Sequence, residues 1–322
     1  MTQIDSPKFS IVMPTYNRYD LIAQAIESVI AQHEQDWELI VVDDGSSDNT
    51  KEIVEKYRDN RIHYLYQENA GKSIARNRGI ERARASHIVF LDSDDYWHPE
   101  MLSAVADAIS RNPGAGLFYG QVEFIRECQS TDAEIKPTVG AKNFEELLNG
   151  DHQSIYTCAT AIKKSCLEQV GVFDPWLLIA QDIDLWLRIA EKYPVVFIPK
   201  VVSYVRRHAE DSASNRLNLY EGYLRFQHRL VQRYEACLSR KRRQVIENYI
   251  TRYQYLLGIE YLKRGDAHEA LRRVQQAIVR DRCVGKQFIE GSSGIFQIGI
   301  NLIKPYLVYL ACLFQTLGRR VS

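Results

Sequence analysis

The feature that most constrains this chain is a series of short apolar runs that each stop in a polar cluster and alternate with segments of helical period. Phe9 to Met13 stops at Pro14, Glu38 to Val42 runs into Asp43-Asp44-Gly45-Ser46-Ser47, Ile62 to Tyr66 follows, and His87 to Leu91 runs into Asp92-Ser93-Asp94-Asp95. Between the first two runs, Leu21, Ile22, Ala25, Ile26, Val29 and Ile30 recur on one helical face. Asp48-Asn49-Thr50 offers capping side chains for a helix through Tyr57, and Lys72 to Ala85 reads as a third helix. Strands alternating with helices predict an α/β fold with a parallel sheet, in which functional loops lie beyond the strand C-termini. The polar clusters occupy that edge.

Further along, Leu117 to Ile125 is strand-like and Gln181 to Tyr193 predicts a strong helix. From Leu217 the chain changes to long, Arg- and Tyr-rich helical segments, so two domains are expected, 1–216 and 217–322. Gln254 to Ile278, with Leu257, Gly258, Tyr261, Ala270 and Ala277, resembles one tetratricopeptide repeat. Such repeats need about three copies to stack, so a helical hairpin packed on the catalytic domain is expected. The apolar stretch 295–317 is interrupted by Gln297, Asn301, Lys304, Pro305 and Gln315, and a spanning helix wants ~20 mostly apolar residues. A buried or docking helix pair is expected there, with peripheral contact to a membrane surface as the alternative. Lys plus Arg and Asp plus Glu both count 41, which removes any overall attraction to nucleic acid. None of the six cysteines forms a CxxC pair, and buried free thiols are expected. The polar N-terminus carries no secretory signal, so the expected location is the cytoplasm, with peripheral association at the inner face of the cytoplasmic membrane as the alternative.

Chemistry concentrates at two strand ends. Asp92-Ser93-Asp94-Asp95 places three carboxylates in four positions, which is costly unless a cation neutralises them. Hard oxygen ligands suit Mg²⁺ or Mn²⁺ completed by substrate phosphates; a solvated acidic turn is the other reading. Asp43-Asp44 could accept hydrogen bonds from ribose hydroxyls or a base N–H, or form an ordinary turn.

The segments Ser10 to Arg18, Val41 to Asp48, Ala75-Arg76-Asn77-Arg78-Gly79-Ile80 and Leu91 to Asp95 resemble, in order and spacing, the inverting glycosyltransferase family 2. The resemblance runs from about Ser10 to Ser214. It implies a GT-A fold, a mostly parallel sheet flanked by helices and here followed by an all-helical C-terminal region. It also implies a hexosyltransferase-type enzyme with a UDP-, GDP- or dTDP-sugar donor, a divalent metal, Mg²⁺ or Mn²⁺, and a carbohydrate, lipid-linked or protein acceptor. Carried over by position, it assigns Pro14, Thr15, Tyr16, Asp43, Asp44, Arg76 and Asp92 to the donor nucleotide. The metal falls to Asp94, with Asp95 as the close alternative. Gln181-Asp182-Ile183-Asp184 resembles the family's Glu-Asp segment, with Gln181 in place of the common Glu, and makes Asp182 the catalytic base. Asp184 is expected to be a cap or surface carboxylate. Tyr204-Val205-Arg206-Arg207-His208 resembles the closing basic loop, in which His208 would join the metal and Arg206 or Arg207 would neutralise phosphate.

Three other classes fit less well. A Rossmann oxidoreductase requires G-x-G-x-x-G after the first strand, where Pro14-Thr15-Tyr16-Asn17-Arg18 stands. A sugar-nucleotide nucleotidyltransferase would carry a Gly- and Lys-rich N-terminal loop. A non-catalytic nucleotide-sugar-binding scaffold acting through its helical region would have no need of Asp94, Asp95 and Asp182.

Overall fold

Strands β1 (Phe9–Thr15) and β2 (Trp37–Asp44) are buried along their whole length, as is usual for parallel strands covered on both faces. The computed structural model describes residues 6–125, 134–135, 143–148, 155–206 and 216–288. β1 pairs in parallel with β2 and with β4 (His87–Phe90), and β2 pairs in parallel with β3 (Ile62–Gln67). Helices α1 (Ile22–Ile30), α2 (Thr50–Glu55) and α3 (Lys72–Arg82) are the connections, and α4 (Met101–Arg111), α5 (Phe144–Leu148) and α6 (Lys164–Val170) follow later in the chain. Beyond β4 the sheet becomes mixed. β8 (Thr160–Lys163) is antiparallel to β4 and to β6 (Leu117–Ile125), and β9 (Val195–Arg206) is parallel to β6. Two-residue strands β5 (Tyr96–Trp97) and β7 (Glu134–Ile135) pair antiparallel with β9 and β6.

The expected stop at Pro14 is a misreading, since β1 continues to Thr15. Val12 O accepts from Leu91 N on the β4 side, and alternation turns the Pro14 nitrogen the same way. β4 has ended by then, so the missing N–H removes no ladder bond.

On one face of the sheet, Ile22, Ala25, Ile26 and Val29 of α1 pack with Phe9, Ile11 and Met13. Elsewhere Phe90 meets Phe173 edge-on at 5.4 Å and Trp186 at 6.2 Å. Trp186 lies on α7 (Gln181–Ala190), where Asp184 is 4% exposed, so the expected surface carboxylate is corrected. Asp184 binds Arg188 at 2.8 Å, one turn along, and the guanidinium also donates to Val170 O and Val172 O. A buried carboxylate requires such compensation.

The chain divides into two compact units, Met1–Trp176 with Gln181–Ala209, and Leu177–Ala180 with Glu210–Ser322. The second contains α8 (Arg216–Tyr234), α9 (Arg240–Lys263) and α10 (Ala267–Phe288). Leu177–Ala180 belongs with these helices through a close approach, because a Cβ at Gly222 would fall 2.6 Å from Ile179 Cγ1. In the α9–α10 hairpin Leu257, Ala270 and Ala277 are buried, and a Cβ at Gly258 would fall 2.5 Å from Val274 Cγ2. Cys158 and Cys166 are buried thiols as expected, whereas Cys237 is exposed. Among the described residues no helix is long and apolar enough to cross a membrane; residues 295–317 lie outside them.

Candidate functional site

The loops after β1 and β2 are joined by polar side chains on backbone donors. Asn17 N donates to Ser46 Oγ at 2.9 Å, Ser47 N to Asn17 Oδ1 at 2.9 Å, and Arg18 N to Thr50 Oγ1 at 3.0 Å. Gly45 turns the second loop at φ +84°, where a Cβ would meet Asn69 N at 2.7 Å. Asp43 accepts from Ser46 N at 2.8 Å and from the Tyr64 hydroxyl at 2.6 Å. Burial and this carboxylate raise the Tyr64 phenol above its ordinary range. Asp44 accepts from Gln67 Nε2 at 2.7 Å and from Ala70 N and Gly71 N at 2.8 Å. A carboxylate has about four acceptor sites. Both keep acceptor capacity after these bonds, and of the two it is Asp44 that lines the cavity at the strand ends.

The three carboxylates after β4 have distinct environments. Asp92 lies 2.7 Å from the Arg76 guanidinium and 3.8 Å from Lys72 Nζ. Burial alone would raise its carboxyl; the charges of Arg76 and Lys72 outweigh that and hold it at about 2. Asp94 is partly open and lies 3.4 Å from Arg18. Asp95 is buried and accepts from Arg206 N at 3.1 Å. Desolvation, with the charges of Asp92 and Asp94, pushes it up to about 8. Arg206 donates through Nη1 to Asp94 O at 2.7 Å and also reaches Gln24. It thus fastens the acidic turn to the end of β9.

Pro14, Thr15, Tyr16, Asp44, Asp92 and Asp94 come together around a cavity of about 280 Å³. Arg18, Asn69, Lys72 and Ser93 also line it, and sequence reasoning gave none of these a role. Lys72 carried a usable signal: it begins α3 directly after the cap Gly71, where the helix dipole disfavours a cation unless an anion is near. Thr15 Oγ1 is buried without a hydrogen-bond partner among the described residues, and Tyr16 is 47% exposed. Arg76 is placed differently from the sequence expectation. It is 1% exposed and turned under Asp92, with the Phe173 ring 5.3 Å away, and its Nε and Nη1 have no hydrogen-bond partner among the described residues.

Asp182, in the first turn of α7, accepts from Thr157 Oγ1 at 2.9 Å and from Ile183 N at 2.9 Å. Thr157 opens a short 3₁₀ turn whose next residue, Cys158, hydrogen-bonds Asp95 and accepts from Trp97 Nε1 at 2.6 Å. One residue step therefore links the support of Asp182 to the acidic turn. Asn77 connects α3 to the segment ahead of α7, exchanging two hydrogen bonds with the Phe173 backbone at 2.8 and 3.0 Å. Arg207 and His208 lie outside the described residues. Among the described residues there is no group of three or more His, Cys, Asp or Glu placed to hold a metal.

The family model for glycosyl transferase family 2 matches residues 10–171, and the chain belongs to that family. A Bacillus subtilis glycosyltransferase provisionally placed in teichuronic acid biosynthesis, TuaG, is 33% identical over 190 residues, covering 58% of this chain and 73% of its own. The uncharacterized glycosyltransferase RP339 of Rickettsia prowazekii is 30% identical over 226 residues, covering 68% and 70%. Two solved structures share the fold at lower identity. TarS 1–349 of S. aureus, in complex with UDP-GlcNAc, is 19% identical with a TM-score of 0.63, covering 85% of this chain and 81% of that one. The mannosyltransferase PcManGT of Pyrobaculum calidifontis, in complex with GDP-Man and Mn²⁺, is 18% identical with a TM-score of 0.57, covering 95% and 88%. The protein is a glycosyltransferase with a GT-A-like fold and a helical C-terminal region.

Proposed function

We propose that the chain transfers a sugar from a nucleotide-diphosphosugar to an acceptor hydroxyl by a single, inverting, metal-assisted displacement, in the cytoplasm. The observation that carries this reading is the cavity at the strand ends, where an open carboxylate, Asp94, two cations, Arg18 and Lys72, and the unpartnered buried hydroxyl of Thr15 converge. Tyr16 offers an exposed ring for the base and Asp44 an acceptor for base or ribose. Arg18 and Lys72 suit the diphosphate, and Arg76 holds Asp92 in its ionised form beneath them. The donors bound by TarS and PcManGT support a nucleotide-sugar here.

The residues fit a divalent ion. Asp94 gives a hard, accessible oxygen, and one or two carboxylates completed by the donor phosphates suffice to hold such an ion; Asp95 and His208 are the further ligand candidates. When bound, a divalent ion stabilises the negative charge of the departing diphosphate. Asp182, aimed by Thr157, takes the proton of the acceptor hydroxyl. As the acceptor oxygen bonds to the anomeric carbon from the opposite side, the bond to the phosphate oxygen breaks and nucleoside diphosphate leaves. The acceptor is a carbohydrate, lipid-linked or protein hydroxyl. A screen of donor hydrolysis across UDP-, GDP- and dTDP-sugars with Mn²⁺ tests the reading. One donor class should be cleaved in preference to the others; no cleavage, together with no nucleotide binding, would overturn it.

A further inference from the structure

The helical unit contains a cleft of its own, of about 870 Å³, lined from α8, α9 and α10. Four guanidinium groups, Arg240, Arg243, Arg272 and Arg280, face it against one lining carboxylate, Glu247. Arg280 is paired to Glu247 at 2.9 Å, Arg243 to Glu235 at 2.9 Å, and Arg272 to Glu269. Arg240 has no ion-pair partner among the described residues. Four glutamines, Gln244, Gln254, Gln275 and Gln276, complete the polar lining, and Gln254 is 7% exposed, a built-in wall rather than a loose surface group. His228 at the rim is held below its ordinary range by burial and by the charge of Arg280.

We infer that this cleft binds an anionic glycan, a chain in which carboxylate or phosphate groups alternate with sugar hydroxyls. The guanidinium groups match the anions, and the amides, donors and acceptors at once, match the hydroxyls. Nucleic acid fits less well, because among the described residues no Phe, Tyr or Trp ring lines the cleft to stack a base. The cleft gives the helical unit a role in holding an anionic acceptor, an assignment that rests on the transferase reading, although the binding itself does not.

The test is calorimetric titration of the full chain with polygalacturonate, inorganic polyphosphate, neutral dextran and a single-stranded oligonucleotide, for the wild type and for Arg240→Glu/Arg272→Glu. Both residues are exposed and outside the strand-end cavity, so the variant should fold and retain donor hydrolysis. Binding of either anionic chain, weakened about tenfold by the double reversal and by added salt, supports the site, and the tighter of the two identifies the anion. Equal affinity in wild type and variant, no binding of either anionic chain, or tighter binding of the oligonucleotide overturns it. Donor hydrolysis is recorded in the same samples. Its absence, with anionic-glycan binding intact, would count against the transferase reading and leave the cleft assignment standing.

Discussion

Replacing Arg76 with methionine should destabilise the first unit by about 3 kcal/mol, the lower end of the cost of removing one partner from a buried ion pair. The side chain is 1% exposed and its guanidinium lies 2.7 Å from Asp92. At an effective dielectric of about 20 that attraction is about 6 kcal/mol, much of it offset by the several kcal/mol spent desolvating each ion. The pair is thus worth little net, whereas an unpaired Asp92 is expensive. Lys72 at 3.8 Å compensates only weakly, since its side chain is 56% exposed. Arg76→Met/Asp92→Asn removes both charges and should recover about 2 kcal/mol of the loss, a coupling of the size found within such networks. Urea denaturation of the wild type, both single variants and the double variant measures this cycle. An Arg76→Met protein within about 0.5 kcal/mol of wild type, or a double variant no more stable than Arg76→Met, would refute the reasoning.

Other predictions address chemistry, pH and packing. Asp182→Asn should lower kcat by ~10²–10⁴-fold, the usual contribution of a positioned base, with donor affinity little changed. Asp184→Asn should instead lower stability, because it breaks the buried pair with Arg188; transfer kinetics and denaturation of both variants separate the two roles. His87 is held at about 4 by burial and by the charges of Lys163 and Lys8. Its neutral form therefore contributes stability that is full above pH 6.5 and is lost as pH falls toward 4, and His87→Phe should flatten that part of a stability–pH curve by roughly 1–3 kcal/mol. Gly258→Ala gains about 1 kcal/mol in helix propensity but drives a methyl into Val274 of the facing helix. Overpacking costs about 1–3 kcal/mol, so thermal unfolding should show a net loss.

Much of this architecture was legible because burial and period coincide: the continuous burial of β1 and β2 corresponds to apolar runs interrupted before their polar ends only by Ser10 and Glu38, which hydrogen-bond each other, and each strand end carries its polar cluster. The misread residues depended on partners distant in sequence or on tertiary burial. Pro14 reads as a stop, yet it extends a strand past the end of its β4 neighbour. Arg76 lies on a helix among other arginines, and only the fold shows that Asp92, sixteen positions on, claims its guanidinium. Asp184 could have been read better. Leu185, Trp186, Leu187 and Ile189 make most of the helix apolar, and Arg188 stands at i+4, the spacing of a helical ion pair; the fold adds that this pair is buried. The places of Arg18 and Ser93 in the cavity lining emerge only from the fold, which brings their loops together.

The central claim is that Asp94 couples a divalent ion to the nucleotide in the strand-end cavity. Calorimetric titration of UDP, GDP and dTDP into the wild type and Asp94→Ala, each with and without Mn²⁺, tests it directly. The account predicts that Mn²⁺ tightens the preferred nucleotide by about tenfold or more in the wild type, within the usual range of coupling between two bound ligands, and that the tightening disappears in Asp94→Ala. Equal nucleotide affinity with and without Mn²⁺ in the wild type, or undiminished tightening in Asp94→Ala, would contradict it.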